Sequence, residues 1–564
     1  VRVYVHGTAV NLSKADYVGG GGEGNVYVKG TTAYKIYHDR TKMLAVGKIR
    51  ELQALTDPDI IKPERVVNDK QGTPLGYTMR FLPDTHTLCE LFPPVFRQRN
   101  NVSPQMTLDL VRSLQERVGN THKAGILAVD LNEMNFLVDP AFQTVYAIDV
   151  DSYQTPHYPA TVIMASIRDP QVSNLDWTEL SDWFSFACVT FNLFTGIHPY
   201  KGKHPSIKGM EHRMAAGVSV FNTSVRVPRV VLPFDVIPPV YRQWYEAVLE
   251  RGQRLPPPQS LQGTLVVLPT VRLIKGTNKL DISKLLEFEG AVRGMWDHRG
   301  DLLVWTDEGI YHGKRRLHGP VHGISGVGFT PRMGRPIVAG SSQGMLKLLD
   351  VSSGLPIPVI LRADAVMAHG GRIYVRNQDQ ILQIMLNDVG SRVLASSLPV
   401  TTCLEHATKL YQGIVVQDLL GSKWVSLLPE TGMAHQLHIQ ELDDYRILDA
   451  KFDNTPTAGV LMVVGSKNGK YDRLVLRFSS DYKSYDVRVI EDVNLSGLNF
   501  VLLDSGVCIC MTEDEKLELF SARKGSPALK VVDDPVLGGD MHLTQQGGRV
   551  VFPRGKDVFS LRMK

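Results

Sequence analysis

The chain has 564 residues, 43% hydrophobic and 21% charged, with a formal net charge of +4. That length exceeds what one hydrophobic core organises, so two or more domains are expected. So small a net charge argues against a dedicated nucleic-acid binder, which would carry a basic face or tail.

No run of eighteen apolar residues occurs, the longest candidate being 184–194, so no transmembrane helix and no membrane partner are expected. The start, VRVYVHGTAV, lacks the pattern of a signal peptide. Five scattered cysteines (Cys89, Cys188, Cys403, Cys508, Cys510) suit a reducing compartment, and a cytoplasmic protein is expected.

The first motif is YVGGGGEGNVYV, residues 17–28, with Gly19, Gly21, Gly24 and Val26 at alternating spacing. Glycines let backbone amides approach an anion because no Cβ intervenes, although a flexible turn alone also explains four in a row. No GK[ST] follows, which favours a hairpin lid over a Walker loop. AYKIYH then sets Lys35 among strand formers, where an ordinary solvated edge lysine is the alternative. KMLAVGKIRELQAL is patterned as a helix and carries Glu51. GTPLGYTMRFLPD reads as a strand pair running into an extended stretch that contains Met79, Arg80 and Leu82.

Apolar residues at helical spacing predict a helix over 107–125. ILAVDLNEMNFLVD follows with Asp130 and Asn135, then VYAIDVDSYQ with Asp149 and Asp151. SDWFSFACVTFNLFTG, 181–196, predicts a largely buried helix closed by Gly196. GIHPYKG comes next, and ERGQRLPPP ends this half, its three prolines breaking regular structure.

Taken together, the glycine loop, Lys35, Glu51, Asp130 with Asn135, and Asp149 stand in the order of the phosphate-handling elements of protein kinases. Residues 18–258 resemble the protein-kinase-like superfamily, and more narrowly the bacterial and phage-associated kinase-like proteins of the tellurite-resistance-linked type. The resemblance implies an ATP- and Mg-binding domain in which Gly19, Gly21, Gly24 and Val26 cover the phosphates. Lys35 would contact the phosphates, held by Glu51, while Met79, Arg80 and Leu82 would lie at the adenine. Asp130 would be the catalytic base, and Asn135 and Asp149 would hold magnesium. Asp182 would brace the catalytic-loop backbone, and Arg251 or Arg254 would close the second lobe.

Several positions depart from that pattern. Ala128-Val129-Asp130 replaces the HRD triplet, and Asn132 replaces a lysine that would supply positive charge. Val150-Asp151 stands where Phe-Gly is usual, with Asp151 read as facing water or a second metal. Gln171, in Asp169-Pro170-Gln171, cannot form the charged pair that a glutamate would. The histidines, His204 and His212 included, show no metal-ligand spacing and read mostly as surface residues.

From about residue 285 the texture changes to short β-rich runs parted by Gly, Asn, Asp and Ser turns, recurring roughly every 40 residues. Seven units fit, six or eight also being compatible, and the segment 281–290 could complete the last of them. The expected class is thus an α+β bilobal protein-kinase-like fold (1–258, lobes about 1–82 and 83–258). It is followed by a linker and closing strand (259–284) and an all-β domain over 285–564, read as a seven-bladed β-propeller. A pair of β-sandwiches is the alternative for that last part. The expected function is an ATP- and Mg-dependent Ser/Thr protein kinase that docks a protein substrate or scaffold partner through the β-rich domain. A nucleotide-binding pseudokinase acting as a scaffold is the alternative, and a small-molecule or lipid kinase a third.

Overall fold

The structure is a computed structural model, and it describes all residues except 21, 22, 162, 174, 259–278, 431, 496, 527 and 528. The chain divides into two compact units, the boundary falling within 259–278. Most of the linker expected over 259–284 therefore lies outside the described residues.

In the first unit, seven strands form one antiparallel sheet: β1 (Arg2–Val5), β2 (Thr8–Asn11), β3 (Tyr17–Gly20), β4 (Gly24–Lys29), β5 (Thr32–Tyr37), β6 (Arg65–Asn68) and β7 (Pro74–Arg80). Their order is β2-β1-β6-β7-β5-β4-β3. Gly30, with φ of 59°, supplies the left-handed residue that the tight β4–β5 turn needs. At Gly76 a Cβ would run into the Lys35 carbonyl, so only glycine lets β7 lie this close to β5. Helix α1 (Val46–Glu51) sits in the chain between β5 and β6.

Beyond β7 come β8 (His86–Thr87), α2 (Pro94–Arg99), α3 (Pro104–Lys123), β9 (Phe136–Val138), β10 (Val145–Ala147) and α4 (Glu179–Thr195). Strands β10, β9 and β8 make a three-stranded sheet. Ser103 caps α3 by accepting from the Met106 amide at 3.1 Å, and Pro104 occupies the first turn, where its missing N–H costs nothing. Helix α4 ends where Gly196 turns left-handed at φ 78°. Its buried face sets Phe191 and Phe194 against Tyr241 and Tyr245, and the Tyr245 hydroxyl donates to Thr190 Oγ1 at 2.7 Å. Each such ring taken out of water contributes on the order of 1.5–3 kcal/mol.

The α+β bilobal protein-kinase-like class is corrected by these observations. Helix accounts for only 16% of the chain and strand for 41%. The strands form the seven-stranded sheet and eight sheets of three or four strands, which is not an α+β kinase lobe. Helices α3 and α4 have 20 and 17 residues, but the remaining α-helices have six or seven. The physical reason is legible in GIHPYKGKHPSIKG and RVPRVVLPFDVIPP, where proline and glycine recur too often for a long helix.

In the second unit, seven antiparallel sheets of four strands follow one another. Six of them are made of strands consecutive in sequence, from Val292–His298 through Leu529–Val532. The seventh is composite. The strand Leu280–Glu287 pairs antiparallel with Asp557–Met563, which continues to Arg549–Arg554 and Thr544–Gln546. Apolar residues fill the layers between neighbouring sheets, for instance Phe452, Leu461, Val463, Leu474, Leu476 and Phe478. All five cysteines are free and buried, Cys508 and Cys510 in one apolar cluster. Among the described residues no helix is long and apolar enough to cross a membrane.

Candidate functional site

Lys35 lies on β5, opposite Val26 of β4 and Tyr77 of β7. Its ammonium stands over the Tyr37 and Tyr77 rings, 5.4 and 5.8 Å from their centroids, a cation–π arrangement. It bonds to Asp151 Oδ2 at 2.6 Å and to Asp149 Oδ1 at 3.3 Å, with Glu23 of the glycine-rich segment 3.6 Å away. Burial alone would lower the lysine's pKa, but the two aspartates overcome it and hold the ammonium charged.

The β9–β10 hairpin delivers the other groups. Phe136 pairs with Ala147, so Asn135 precedes one strand and Ile148 follows the other, and the Ile148 amide donates to the Asn135 carbonyl at 2.9 Å. That places Asn135 beside the turn that carries Asp149. Asp149 itself adopts φ 59°, left-handed geometry that aspartate tolerates better than most residues, and a short 3₁₀ turn, Val150–Ser152, follows. Asn135 Nδ2 donates to the Asp130 carbonyl at 3.0 Å. Asp130 Oδ1 accepts from the Met164 amide at 2.9 Å, and Oδ2 accepts from Asn132 at 2.8 Å. Burial pushes the Asp130 pKa up despite those bonds.

The loop before Asp130 is braced from α4. Asp182, fully buried, accepts from the amides of Ala128 at 2.8 Å and Val129 at 2.9 Å, and from His122 Nε2 at 2.9 Å. Val129 is held at φ 59°, a costly angle for a β-branched residue, and these bonds are what hold it there. Further along, Arg254 grips Asp169 through two bonds of 2.6 Å and covers the Phe184 ring at 4.5 Å, while Gln171 donates to the Gly252 carbonyl. A charged pair does form in this segment, through Asp169 instead of residue 171.

Of the residues singled out from sequence, the structure gathers Lys35, Asp149, Asn135 and Asp130. Glu51 is not among them. Its carboxylate accepts from the His157 backbone at 3.3 Å and ring at 2.7 Å, and Lys35 takes its carboxylates from the 149–151 turn. Gly19 pairs with Val26 across the β3–β4 hairpin, and Gly24 fits where a Cβ would meet the Ile36 carbonyl. Gly21 lies outside the described residues. Met79 packs beside Tyr37, Ile49 and Tyr77. Arg80 lies over Tyr146 at 5.5 Å and near Asp59, and the Leu82 carbonyl accepts from Thr85.

Asp151, expected from the sequence to face water or a second metal, is instead buried beside Lys35. Its side chain is 7% exposed, against 50% for Asp149. Tyr37 donates to its Oδ2 at 2.9 Å, and Lys48 of α1 donates to its carbonyl at 2.7 Å. Burial would raise the Asp151 pKa, yet Lys35 and the hydrogen bonds bring it below the usual carboxylate range. Burial and the neighbouring Asp151 charge drive Asp149 the other way, upward. The only signal in the sequence was a second carboxylate two residues after Asp149.

Two carboxylates and a carboxamide offer hard oxygens, and with one lysine between the carboxylates an excess of negative charge remains. Among the described residues no group of three or more metal-ligating side chains gathers. A cavity of about 450 Å³ beside Asp57, Asp59 and Arg117 shares no residue with this cluster, so cavity size does not mark the chemistry. No protein-family model matches the chain, and no curated protein matches it.

Proposed function

We propose that the Lys35–Asp149 cluster is the active site of an ATP- and magnesium-dependent phosphotransferase acting on a protein hydroxyl. The observation that carries this reading is the meeting, at 3.3 Å, of a lysine and an aspartate 114 residues apart, beside Asn135 and Asp130. The order of these residues resembles that of the protein-kinase-like superfamily and supports the same reading. Lys35 would draw in the phosphates, and Asp149 with the Asn135 amide would hold magnesium, which supplies charge neutralisation at the transferring group. Asp130 would orient the acceptor hydroxyl and take its proton as the new oxygen–phosphorus bond forms and the bond between the γ-phosphorus and the β,γ-bridging oxygen breaks, releasing ADP. A protein partner docking on the second unit belongs to the same proposal.

A nucleotide-binding scaffold without turnover is the second reading. It is favoured by the Asp130 carboxylate, both of whose oxygens are already engaged by Met164, Asn132 and Asn135. Incubation with γ-labelled ATP, magnesium and a mixed protein acceptor, beside Asp130→Ala and Asp149→Ala, separates the two. The phosphotransferase reading expects label transfer that falls by at least about 10²-fold in both variants. Magnesium-dependent ATP binding with no transfer in the wild type would establish the scaffold, and the absence of binding would remove both.

A further inference from the structure

We infer that Asp151 is the positioning carboxylate that holds Lys35 for the nucleotide, leaving Asp149 for the metal. The inference rests on the phosphotransferase reading above and assigns roles within that site. Two carboxylates touch one ammonium here, and their surroundings differ. Asp151 lies 2.6 Å from Nζ, is 7% exposed and is fixed at three points: by Lys35, by the Tyr37 hydroxyl and, through its backbone carbonyl, by Lys48. Asp149 lies 3.3 Å from Nζ, is 50% exposed and has no second side-chain donor of comparable closeness.

Lys35 and Tyr37 converge on Asp151 Oδ2 while Lys48 fixes the backbone carbonyl, so that oxygen cannot turn toward an incoming cation without breaking those bonds. The Asp149 carboxylate, half in solvent, can. Asp149 is therefore the group that would be free to hold a metal ion, and Asp151 the group that would keep the lysine in place. The 3₁₀ turn Val150–Ser152 makes this economical, because lysine holder and metal ligand are then two residues apart on one rigid segment.

Helix α1 takes a different part from the one its glutamate suggested. It sends Lys48, only 7% exposed, onto the Asp151 carbonyl, while Glu51 is spent on His157. The helix thus anchors the lysine's partner without supplying it. The aromatic pair Tyr37 and Tyr77 completes the seat by screening the ammonium from water.

The test uses the full chain, with Mg·ATP binding followed by calorimetry and label transfer followed kinetically. Asp151→Asn, which keeps the shape and removes the charge, is expected to lower kcat by about 10²-fold with a smaller rise in KM for ATP. Asp151→Glu is expected to recover part of that loss, and Glu51→Gln to stay close to wild type. The decisive readout is a double-mutant cycle, in which adding Asp151→Asn to Lys35→Met costs nothing further, as two groups acting through one contact require. A merely structural role for Asp151 would give additive losses and overturn the inference.

If Asp151→Asn does not fold, as judged by its thermal transition, Tyr37→Phe replaces it and is expected to lose several-fold in kcat while Lys35→Met masks that loss. Activity that survives Asp151→Asn but disappears in Glu51→Gln would sink this assignment while sparing the phosphotransferase reading. A wild type that neither binds Mg·ATP nor transfers label would sink that reading first, and this one with it.

Discussion

His198, in the GIHPYKG segment, shows how a single side chain can tie stability to pH. Its ring is buried, its Nε2 lies 2.7 Å from the Ser166 carbonyl, and its Nδ1 accepts from the Tyr200 amide at 3.2 Å. That pairing demands a neutral ring with the proton on Nε2. Burial first, and then the nearby Lys201 and Arg213 charges, lower its pKa to about 3. His369, in the second unit, is lowered to about 4 by burial and by Lys451 and Arg372. In the unfolded chain both titrate near about 6.5. Below that pH the unfolded state binds protons that the folded state refuses, so stability is lost as pH falls. Each histidine is expected to contribute a slope of about 1.4 kcal/mol per pH unit between its unfolded and folded values. Urea unfolding at stepped pH should therefore show a flatter acid limb for His198→Gln and for His369→Leu. Equal slopes in wild type and variants would refute it. At this scale residue types and spacings were legible in the sequence and their surroundings were not. Lys35, Asp130, Asn135 and Asp149 could be picked out by type and spacing. The burial of His198, His369 and Asp151 could not, because it depends on chain segments far away in sequence.

Between residue and molecule, the loop 126–135 depends on α4 for its shape. Asp182 accepts two of its amides, and Val129 stays left-handed only while it does so. Asp182→Ala would strand two buried N–H groups and His122, at about 1–3 kcal/mol for each unsatisfied group. A loss of about 3 kcal/mol or more in the thermal or urea transition is expected. A variant with unchanged stability would mean that the loop finds its shape without α4. The Asp169–Arg254 pair makes a parallel case. Asp169 is buried and Arg254 mostly so, so removing the arginine leaves the carboxylate alone in an apolar setting, and Arg254→Ala is expected to cost about 3 kcal/mol. Arg254→Lys should recover only part of it, since an ammonium cannot form both bonds at once; full recovery would show that the two-pronged geometry is not what matters. Elements of this kind were half legible. Helices α3 and α4 announced themselves through apolar spacing, and α4 also through Gly196. The partner swaps, Asp169 for residue 171 and Asp151 for Glu51, were hidden because a motif fixes which position is searched, while an ion pair needs only a carboxylate within reach of the arginine or lysine.

Over the whole molecule, the strand content exceeds what the motif order suggested. Two good helices and a set of catalytic-type residues point toward an α+β lobe, but the segments around them are too rich in proline and glycine to add more helix. The β-rich half declared itself through the recurrence of short runs and turns at roughly the length of one four-stranded sheet. Its least obvious feature is the composite sheet, in which Leu280–Glu287 is held by the last strand of the chain. Asp557–Met563 lies inside that sheet, hydrogen-bonded on both sides, and buries Val558, Phe559 and Leu561. Leu280 and Leu561 share one apolar cluster with Phe552 and Val550. Deleting residues 557–564 from the full chain would remove three buried side chains, about 1.5–3 kcal/mol each, and leave two strands with bare edges. That sum is comparable to the entire stability of a typical domain. The truncated chain is therefore expected to lose the cooperative unfolding transition of its second unit and to expose Cys508 and Cys510 to thiol reagents under native conditions. Ser560→Ala, which removes only a hydroxyl contact with Ser283 at 2.7 Å, should leave the transition in place. If the truncated chain instead unfolds cooperatively at the wild-type midpoint with both thiols protected, the last strand is not what closes the unit, and the six sheets of consecutive strands hold without it.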